Sequence, residues 1–217
     1  MVSLDSLEMK LISALPSPFV RKVRIALIEK GIPFTTVVDN PWSVDCEVAR
    51  HNPLGKVPTL ILDGGRILYD SKVIVGFLET LNREPRLLPD EPSLRVEHRQ
   101  IEALADSVCD AVVLIVQERA RSPDLQSQDW IHRQFGKVES GVAEAARVLG
   151  TRSLYVANQF GLADVAVGCM LGYLDLRLAE FRWRERHANL ITLAEKLARR
   201  SSFAQSLPEA QSLREVR

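Results

Sequence analysis

The sequence first offers chemistry at a serine enclosed by two prolines, Ser17 in the stretch ALPSPFVRKVRIAL. An apolar, strand-like segment precedes it and a helical pattern begins at Pro18, so Ser17 stands at the start of a helix. Serine is a favoured N-cap residue and proline is favoured at the first helical position, so capping alone explains the pattern. A hydroxyl beside the free N–H groups of a helix N-terminus can also bind an anion. The stretch leaves both roles open.

Two further segments place polar groups where elements begin. In Lys56-Val57-Pro58 the proline opens a strand, and its placement needs a reason because proline cannot donate to the ladder. Asp70-Ser71 opens a second helix, and either residue would be a good cap.

The cysteines and histidines show none of the spacings that metal or dithiol sites require. Cys46, Cys109 and Cys169 are widely separated and form no CxxC pair, and the four histidines have no ligand spacing. An odd number of separated cysteines is typical of a reducing cytoplasm and argues against a disulfide scaffold. We therefore expect a cytoplasmic protein that holds no metal.

The overall charge argues against two classes of partner. Lys and Arg number 28, as do Asp and Glu, so the chain lacks the basic excess that a nucleic-acid ligand requires. No apolar run approaches the roughly 20 residues of a membrane helix, so no membrane partner is expected. Residues 1–8, MVSLDSLE, lack the regions of a signal peptide and are expected to form a loose N-terminal extension.

The hydrophobic pattern divides the chain into two parts that position these residues. Residues 9–83 alternate strand and helix, with Asp63-Gly64-Gly65 as a hairpin signal, and predict a mixed four-stranded sheet. The predicted strands span 9–15, 34–38, 57–62 and 66–69, and the predicted helices span 18–30 and 71–81. Residues 84–93 read as a linker rich in proline and charge.

The second part, residues 94–217, shows helical periodicity and no convincing strand, so it is predicted to be all-helical. The segment 162–179 is apolar on nearly every side, which is typical of the buried centre of a bundle. The predicted helices span 94–120, 131–149, 162–179 and 190–197.

Four motifs follow one another at a spacing that resembles the glutathione transferase family: SPFVRKVRIAL, NPLGKVPTL, LYDSKVI and GLADVAVG. The resemblance extends over nearly the whole chain from Met9 and is greatest to bacterial glutathione transferase-like proteins of the YibF type. It implies the glutathione transferase fold, an α/β thioredoxin-like N-terminal domain followed by an all-α C-terminal domain. It also implies glutathione as co-substrate, a cytoplasmic homodimer and a role in detoxification.

The resemblance assigns the thiol chemistry to Ser17, which would stabilise the glutathione thiolate for attack on a small apolar electrophile. Thioredoxins and glutaredoxins carry Cys-x-x-Cys at this turn, whereas Ser17-Pro18-Phe19-Val20 has no sulfur, so dithiol chemistry is excluded here. Ser13 is the alternative hydroxyl, expected to be buried in the strand. Phe19 is expected to form part of the wall of the glutathione site.

The other glutathione contacts are assigned by the same resemblance. The Val57-Pro58 bond is expected to be cis, with the Val57 N–H and C=O pairing with the cysteinyl part of glutathione. Lys56 would meet the glycyl carboxylate. Ser71 would hold the γ-glutamyl carboxylate and Asp70 its ammonium group.

Three acidic residues of the helical part receive separate assignments. Asp106 and Asp110 lie one turn apart, and the resemblance makes them candidates to reach the glutathione of a neighbouring subunit, the alternative being a solvated helix face. Asp164 is expected to be structural. The family usually has Ser or Thr at the cap before it, but this chain has Gly161, so only the Asp164 half of a capping box is expected.

Two other functions share this fold. A non-enzymatic protein-binding module would resemble the stringent starvation proteins that dock on RNA polymerase, although such proteins often lose the glutathione pocket and Val57-Pro58 and Asp70-Ser71 are intact here. A glutathione-dependent lyase, isomerase or dehalogenase would use the same thiol site. The residues that would contact the electrophile are dispersed over helices, so the sequence does not identify the substrate.

Overall fold

The computed structural model describes residues 9–43, 45–81 and 84–211, and the chain forms two compact units. Of these residues, those up to Arg86 and those from Gln205 to Gln211 form the first unit, and Leu87–Ala204 forms the second. The sequence-based division instead assigned residues 84–93 to a linker and everything after them to the helical part. The expected N-terminal extension, residues 1–8, lies outside the described residues.

Hydrogen bonds explain why the end of the described chain belongs to the first unit. The Arg24 guanidinium donates to the Gln205 carbonyl at 2.7 Å. Further on, the Glu209 N–H donates to the Leu15 carbonyl at 3.4 Å, and the Leu15 N–H donates to Gln211 Oε1 at 3.3 Å. These bonds join residues that are far apart in sequence, so periodicity alone gives no sign of them.

The first unit contains the mixed four-stranded sheet that the sequence predicts, in the order β2-β1-β3-β4. β1 pairs in parallel with β2 and antiparallel with β3, which pairs antiparallel with β4. The strands are β1 Lys10–Ser13, β2 Thr35–Val38, β3 Thr59–Ile61 and β4 Ile67–Tyr69, and the helices are α1 Pro18–Glu29 and α2 Ser71–Thr80.

The register of the strands decides where the candidate site residues fall. Ile12 near the end of β1 lies opposite Thr59 at the start of β3, and Thr59 lies opposite Tyr69 at the end of β4. The segments that follow β1, precede β3 and follow β4 therefore share one end of the sheet. Helices α1 and α2 both begin at this end.

A short turn connects strands β3 and β4. Asp63–Gly65 forms a tight turn in which Gly64 and Gly65 adopt left-handed φ values of 78° and 80°. Glycine adopts this conformation without the steric cost that a side chain brings, which is why the Asp-Gly-Gly signal works. A 3-10 turn, Val48–Arg50, lies in the polar stretch between β2 and β3.

The second unit is the helical domain that the sequence predicts. Its helices are α3 Pro92–Arg119, α4 Gln128–Leu149, α5 Leu162–Arg177, α6 Ala188–Ala198 and α7 Ser201–Ala204. Helix α5 is buried along most of its length, as its nearly uniform apolar sequence indicates. Gly141 lets α4 approach α3 closely, because a Cβ there would lie 2.3 Å from Val108 Cγ2.

Two helices differ from the expectation. Helix α3 begins inside the expected linker because Glu91 caps it: the carboxylate accepts from the N–H groups of Ser93 and Leu94 at 3.0 and 2.6 Å. Helix α7 was not predicted, since four residues are too few to show periodicity.

Among the residues that the structure describes, no helix combines the length and the apolarity needed to cross a membrane. Within the same residues, no group of His, Cys, Asp and Glu side chains has the arrangement of a metal site.

Candidate functional site

Ser17 caps α1 through its side-chain oxygen, and its hydroxyl hydrogen can still donate a hydrogen bond. Its backbone is extended, and its Oγ accepts from the Val20 N–H at 3.2 Å. Within the described parts of the chain, neither the Ser17 hydroxyl hydrogen nor the Phe19 N–H has an acceptor. The alternative hydroxyl of Ser13 is buried and already donates to the Leu11 carbonyl at 3.3 Å. The half-buried Ser17 is therefore the better placed of the two to meet a ligand.

Val57 presents backbone groups that the protein does not use. The Val57-Pro58 bond is cis, Pro58 is buried and Val57 is half-buried. The N–H and C=O of Val57 have no hydrogen-bond partner in residues 9–43, 45–81 and 84–211. Lys56 is exposed beside them. An extended peptide could pair with Val57 as a strand pairs with a sheet edge.

The structure shows which of Asp70 and Ser71 caps α2, a question that the sequence left open. Asp70 is the N-cap: its Oδ1 accepts from the Lys72 N–H at 2.7 Å. Ser71 is 4% exposed, and no described residue bonds its N–H or its hydroxyl. Because Asp70 does the capping, both Ser71 donors stay available at the positive end of the helix.

Asp70 holds a backbone conformation that costs free energy. Its φ of 72° with ψ of 128° lies where non-glycine residues are rare, at a typical cost of about 1–3 kcal/mol. Strain of this kind occurs most often at binding and catalytic sites. It turns the chain sharply between β4 and α2 and sets the exposed Asp70 carboxylate beside the Ser71 donors.

The unused donors and acceptors of these segments lie at one end of the sheet. The donors are the Ser17 hydroxyl, the N–H groups of Phe19 and Val57, and both donors of Ser71. The acceptors are the Val57 carbonyl and the Asp70 carboxylate. Such a set suits a small peptide that carries a carboxylate, an ammonium group and a thiolate.

The remaining acidic candidates lie in the second unit. Asp106 and Asp110 are both on α3, the first buried and the second exposed. A solvated helix face therefore describes Asp110 but not Asp106. Their contact with a neighbouring subunit stays a prediction.

The Asp164 side chain accepts hydrogen bonds from backbone N–H groups at and before the start of α5. The buried carboxylate accepts from the Tyr155 N–H and the Gly161 N–H, each at 3.0 Å. Burial raises the pKa of Asp164 to about 6, while these N–H donors act in the opposite direction. Gly161 has no side chain, so the reciprocal half of a capping box is absent, as the sequence indicates.

A residue that the sequence analysis did not single out accepts from another N–H of this first turn. His98 on α3 is buried, and its Nδ1 accepts from the Ala163 N–H at 3.1 Å. A Cβ on Gly161 would lie 2.4 Å from His98 Cε1 and 2.8 Å from the Leu87 carbonyl oxygen. That carbonyl also accepts from the Leu162 N–H at 2.8 Å. Glycine occupies the cap because the imidazole fills the space of a cap side chain.

Comparisons with known proteins agree with this fold. The glutathione S-transferase N-terminal domain family model matches residues 16–81, and the C-terminal domain family model matches residues 128–192. The chain is 40% identical over 202 residues to the uncharacterized GST-like protein YibF of Escherichia coli strain K12, covering 92% of this chain and 98% of that protein.

Two solved structures are also close. A glutathione S-transferase from Methylobacterium radiotolerans, in complex with glutathione sulfonate, superposes with a TM-score of 0.92 at 47% identity over 94% of this chain and 97% of that one. A glutathione S-transferase from Methylobacillus flagellatus with glutathione bound gives a TM-score of 0.88 at 41% identity over 93% and 100%. With both domain types matched in order and these relatives aligned over nearly the full length, the chain belongs to the glutathione S-transferase family.

Proposed function

We propose that this protein is a glutathione transferase that binds glutathione along Ser17, Val57, Asp70 and Ser71 and conjugates its thiolate to a small apolar electrophile. The observation that carries the proposal is the set of donors at one end of the sheet that no described residue uses. Further support comes from the two similar structures, which hold glutathione sulfonate and glutathione.

In the proposed complex each part of the tripeptide meets a complementary group. The γ-glutamyl carboxylate accepts from the Ser71 N–H and hydroxyl at the start of α2, and its ammonium group donates to Asp70. The cysteinyl backbone pairs with Val57, and the glycyl carboxylate meets the exposed Lys56. This order directs the sulfur toward Ser17 and the Phe19 N–H.

The energy that such a site must supply is modest. A free thiol has a pKa of about 8.5, and lowering it to about 6.5 takes roughly 2.7 kcal/mol of preferential thiolate stabilisation. A hydrogen bond to a charged group contributes about 1.5–3 kcal/mol, and a helix N-terminus about 0.3–1 kcal/mol. Ser17 and the start of α1 can therefore hold the thiolate without a histidine base.

The reaction then requires no further group from this site. The thiol proton leaves for solvent as the thiolate forms, and the sulfur lone pair forms a bond to an electrophilic carbon. The leaving group departs with the electron pair of the bond that breaks. The expected product is a thioether of glutathione.

A homodimer is part of the same proposal. In it, Asp110 or Asp106 would approach the glutathione ammonium of the neighbouring subunit, and the exposed Asp110 is the better placed of the two. Light scattering after size exclusion measures the oligomeric state. An Asp110→Asn variant that stays dimeric but binds glutathione more weakly would support the cross-subunit contact.

Calorimetric titration with glutathione, followed by a conjugation assay on aryl and alkyl halides, tests the proposal. Binding together with turnover supports it. Binding without turnover of any halide would leave a glutathione site that serves a lyase or an isomerase. No binding would refute the glutathione site and favour a protein-binding role for the fold.

A further inference from the structure

The loop before Val57 is held by a buried amide. Asn52 is 2% exposed, and its Nδ2 donates to the Lys56 carbonyl at 2.8 Å while its Oδ1 accepts from the Leu54 N–H at 3.0 Å. Thr59 is 0% exposed, and its Oγ1 donates to the same Lys56 carbonyl at 3.1 Å. Two buried side chains thus bond one carbonyl oxygen.

That carbonyl belongs to the same peptide unit as the Val57 N–H. A trans peptide is planar, and its C=O and N–H point in opposite directions. The Lys56–Val57 bond is trans, since the cis bonds in the described chain are Val57-Pro58 and Glu84-Pro85. Fixing the Lys56 oxygen toward Asn52 and Thr59 therefore fixes the Val57 N–H away from them.

Asparagine is suited to this position because one short side chain must donate and accept at the same time. A carboxylate at position 52 would accept from Leu54 but would face the Lys56 oxygen with another oxygen. A serine is shorter and has a single oxygen to serve both partners. The Thr59 hydroxyl supplies the second donor, which valine of the same shape lacks.

We infer that Asn52 and Thr59 are positioning residues that aim the Val57 N–H at the cysteinyl carbonyl of bound glutathione. The inference rests on the proposed function, because it names what orients one of that site's donors. Neither side chain is assigned a contact with the ligand. Their effect on binding passes through the orientation of one peptide unit.

The test compares two ligands on matched variants. Thr59→Val and Asn52→Ser remove donors to the Lys56 carbonyl, Thr59→Ser restores the hydroxyl, and the exposed Thr36→Val controls for the type of substitution. Glutathione is compared with γ-glutamylcysteamine, which lacks the cysteinyl carbonyl. We expect Thr59→Val and Asn52→Ser to weaken glutathione about 3- to 10-fold, as the loss of one hydrogen bond does, and to leave γ-glutamylcysteamine unchanged.

The outcomes separate this inference from the proposed function. Wild-type protein that does not bind glutathione refutes the proposed function itself. Glutathione affinity within twofold of wild type in folded Thr59→Val and Asn52→Ser overturns the positioning role. An equal loss for both ligands also overturns it, because it indicates general damage to the loop.

A measurement on the wild-type protein decides the matter even if the variants do not fold. Amide hydrogen exchange at Val57 should slow when glutathione is added and stay unchanged with saturating γ-glutamylcysteamine. Equal protection by both ligands, or none by either while glutathione is bound, would show that the Val57 N–H does not meet the cysteinyl carbonyl.

Discussion

Helices α1 and α2 begin with donors that no described residue uses, whereas the first turn of α5 is closed by acceptors from three places in the chain. At α5 the Leu87 carbonyl, the His98 imidazole and the Asp164 carboxylate each take one backbone N–H. At α1 and α2 the cap takes one N–H, and the Phe19 and Ser71 N–H groups have no partner among residues 9–43, 45–81 and 84–211.

The difference lies in how completely the first turn of a helix uses its backbone donors within the protein. Unbonded N–H groups buried in protein cost free energy, so a helix that starts in the core must use all its donors. Helix α5 starts in the core, and the N–H groups of Gly161, Leu162 and Ala163 all have acceptors. The remaining donors at α1 and α2 are the ones that the proposed glutathione would use.

The largest effect should follow from Asp164→Ala, which removes the carboxylate that accepts from backbone N–H groups at the start of α5. The variant loses two charge-assisted bonds and leaves the N–H groups of Tyr155 and Gly161 buried without an acceptor. We expect a loss of about 3 kcal/mol in the free energy of unfolding, measured by denaturant titration. Asp129→Ala, exposed in the first turn of α4, is the matched control. An unchanged melting temperature would contradict a structural role.

The pH dependence of the stability loss in Asp164→Ala provides a second test. A carboxyl with a pKa of about 6 in the folded state, against about 3.9 when unfolded, binds its proton more tightly in the folded state. Its contribution to stability is therefore fully present below about pH 4 and falls as the pH rises toward 6. The cost of Asp164→Ala should accordingly be greater near pH 4 than at pH 7.

The next largest effect belongs to the open start of α2. Ser71→Ala should weaken glutathione binding roughly 10- to 100-fold, because a hydrogen bond to a carboxylate contributes about 1.5–3 kcal/mol. Stability should stay close to wild type, since Asp70 caps the helix. Calorimetry and a melting curve measure the two quantities, with the exposed Ser107→Ala as control. A large loss of stability with unchanged affinity would make Ser71 structural, like the residues around α5.

A smaller effect is expected where the sequence departs from the family pattern. Gly161→Ser introduces a favoured cap residue, yet its Cβ would meet His98 and the Leu87 carbonyl, so we expect a loss of about 1–3 kcal/mol in stability. Adding His98→Ala should recover part of that loss, because the serine hydroxyl can then accept from Ala163. Gly136→Ser, with open space around its Cβ, controls for the substitution. Additive losses in the double variant would disprove the exchange of caps.

These contrasts also mark what the sequence could and could not predict. Strands, helices and the caps at Ser17 and Asp70 depend on residues within a few positions of one another, and local patterns reveal them. The sequence left open whether Asp70 or Ser71 caps α2, and the bond from the Lys72 N–H to Asp70 Oδ1 settles it in the structure. The candidate site as a whole came from the family resemblance, not from periodicity.

What the sequence could not predict depends on distant partners or on burial. His98 lies 65 residues before the N–H group that it accepts from, and nothing around it distinguishes it from a surface histidine. Asn52 stands in an Asn-Pro-Leu-Gly stretch that predicts a turn, but only the fold shows that its amide is buried against the Lys56 carbonyl. The attachment of residues after Gln205 to the first unit is of the same kind.

The smallest effect, and the sharpest test of the comparison, concerns Ser17, which both caps a helix and faces the proposed thiolate. Ser17→Ala should cost about 1 kcal/mol of stability through the lost cap and raise the pKa of bound glutathione by about 1–2 units. Thiolate absorbance of the complex across pH measures the second quantity. Ser17→Thr keeps a hydroxyl and a cap and should restore both. If Ser17→Ala lowers stability but leaves the thiol pKa unchanged, the serine is only a cap, and the start of α1 is as structural as that of α5.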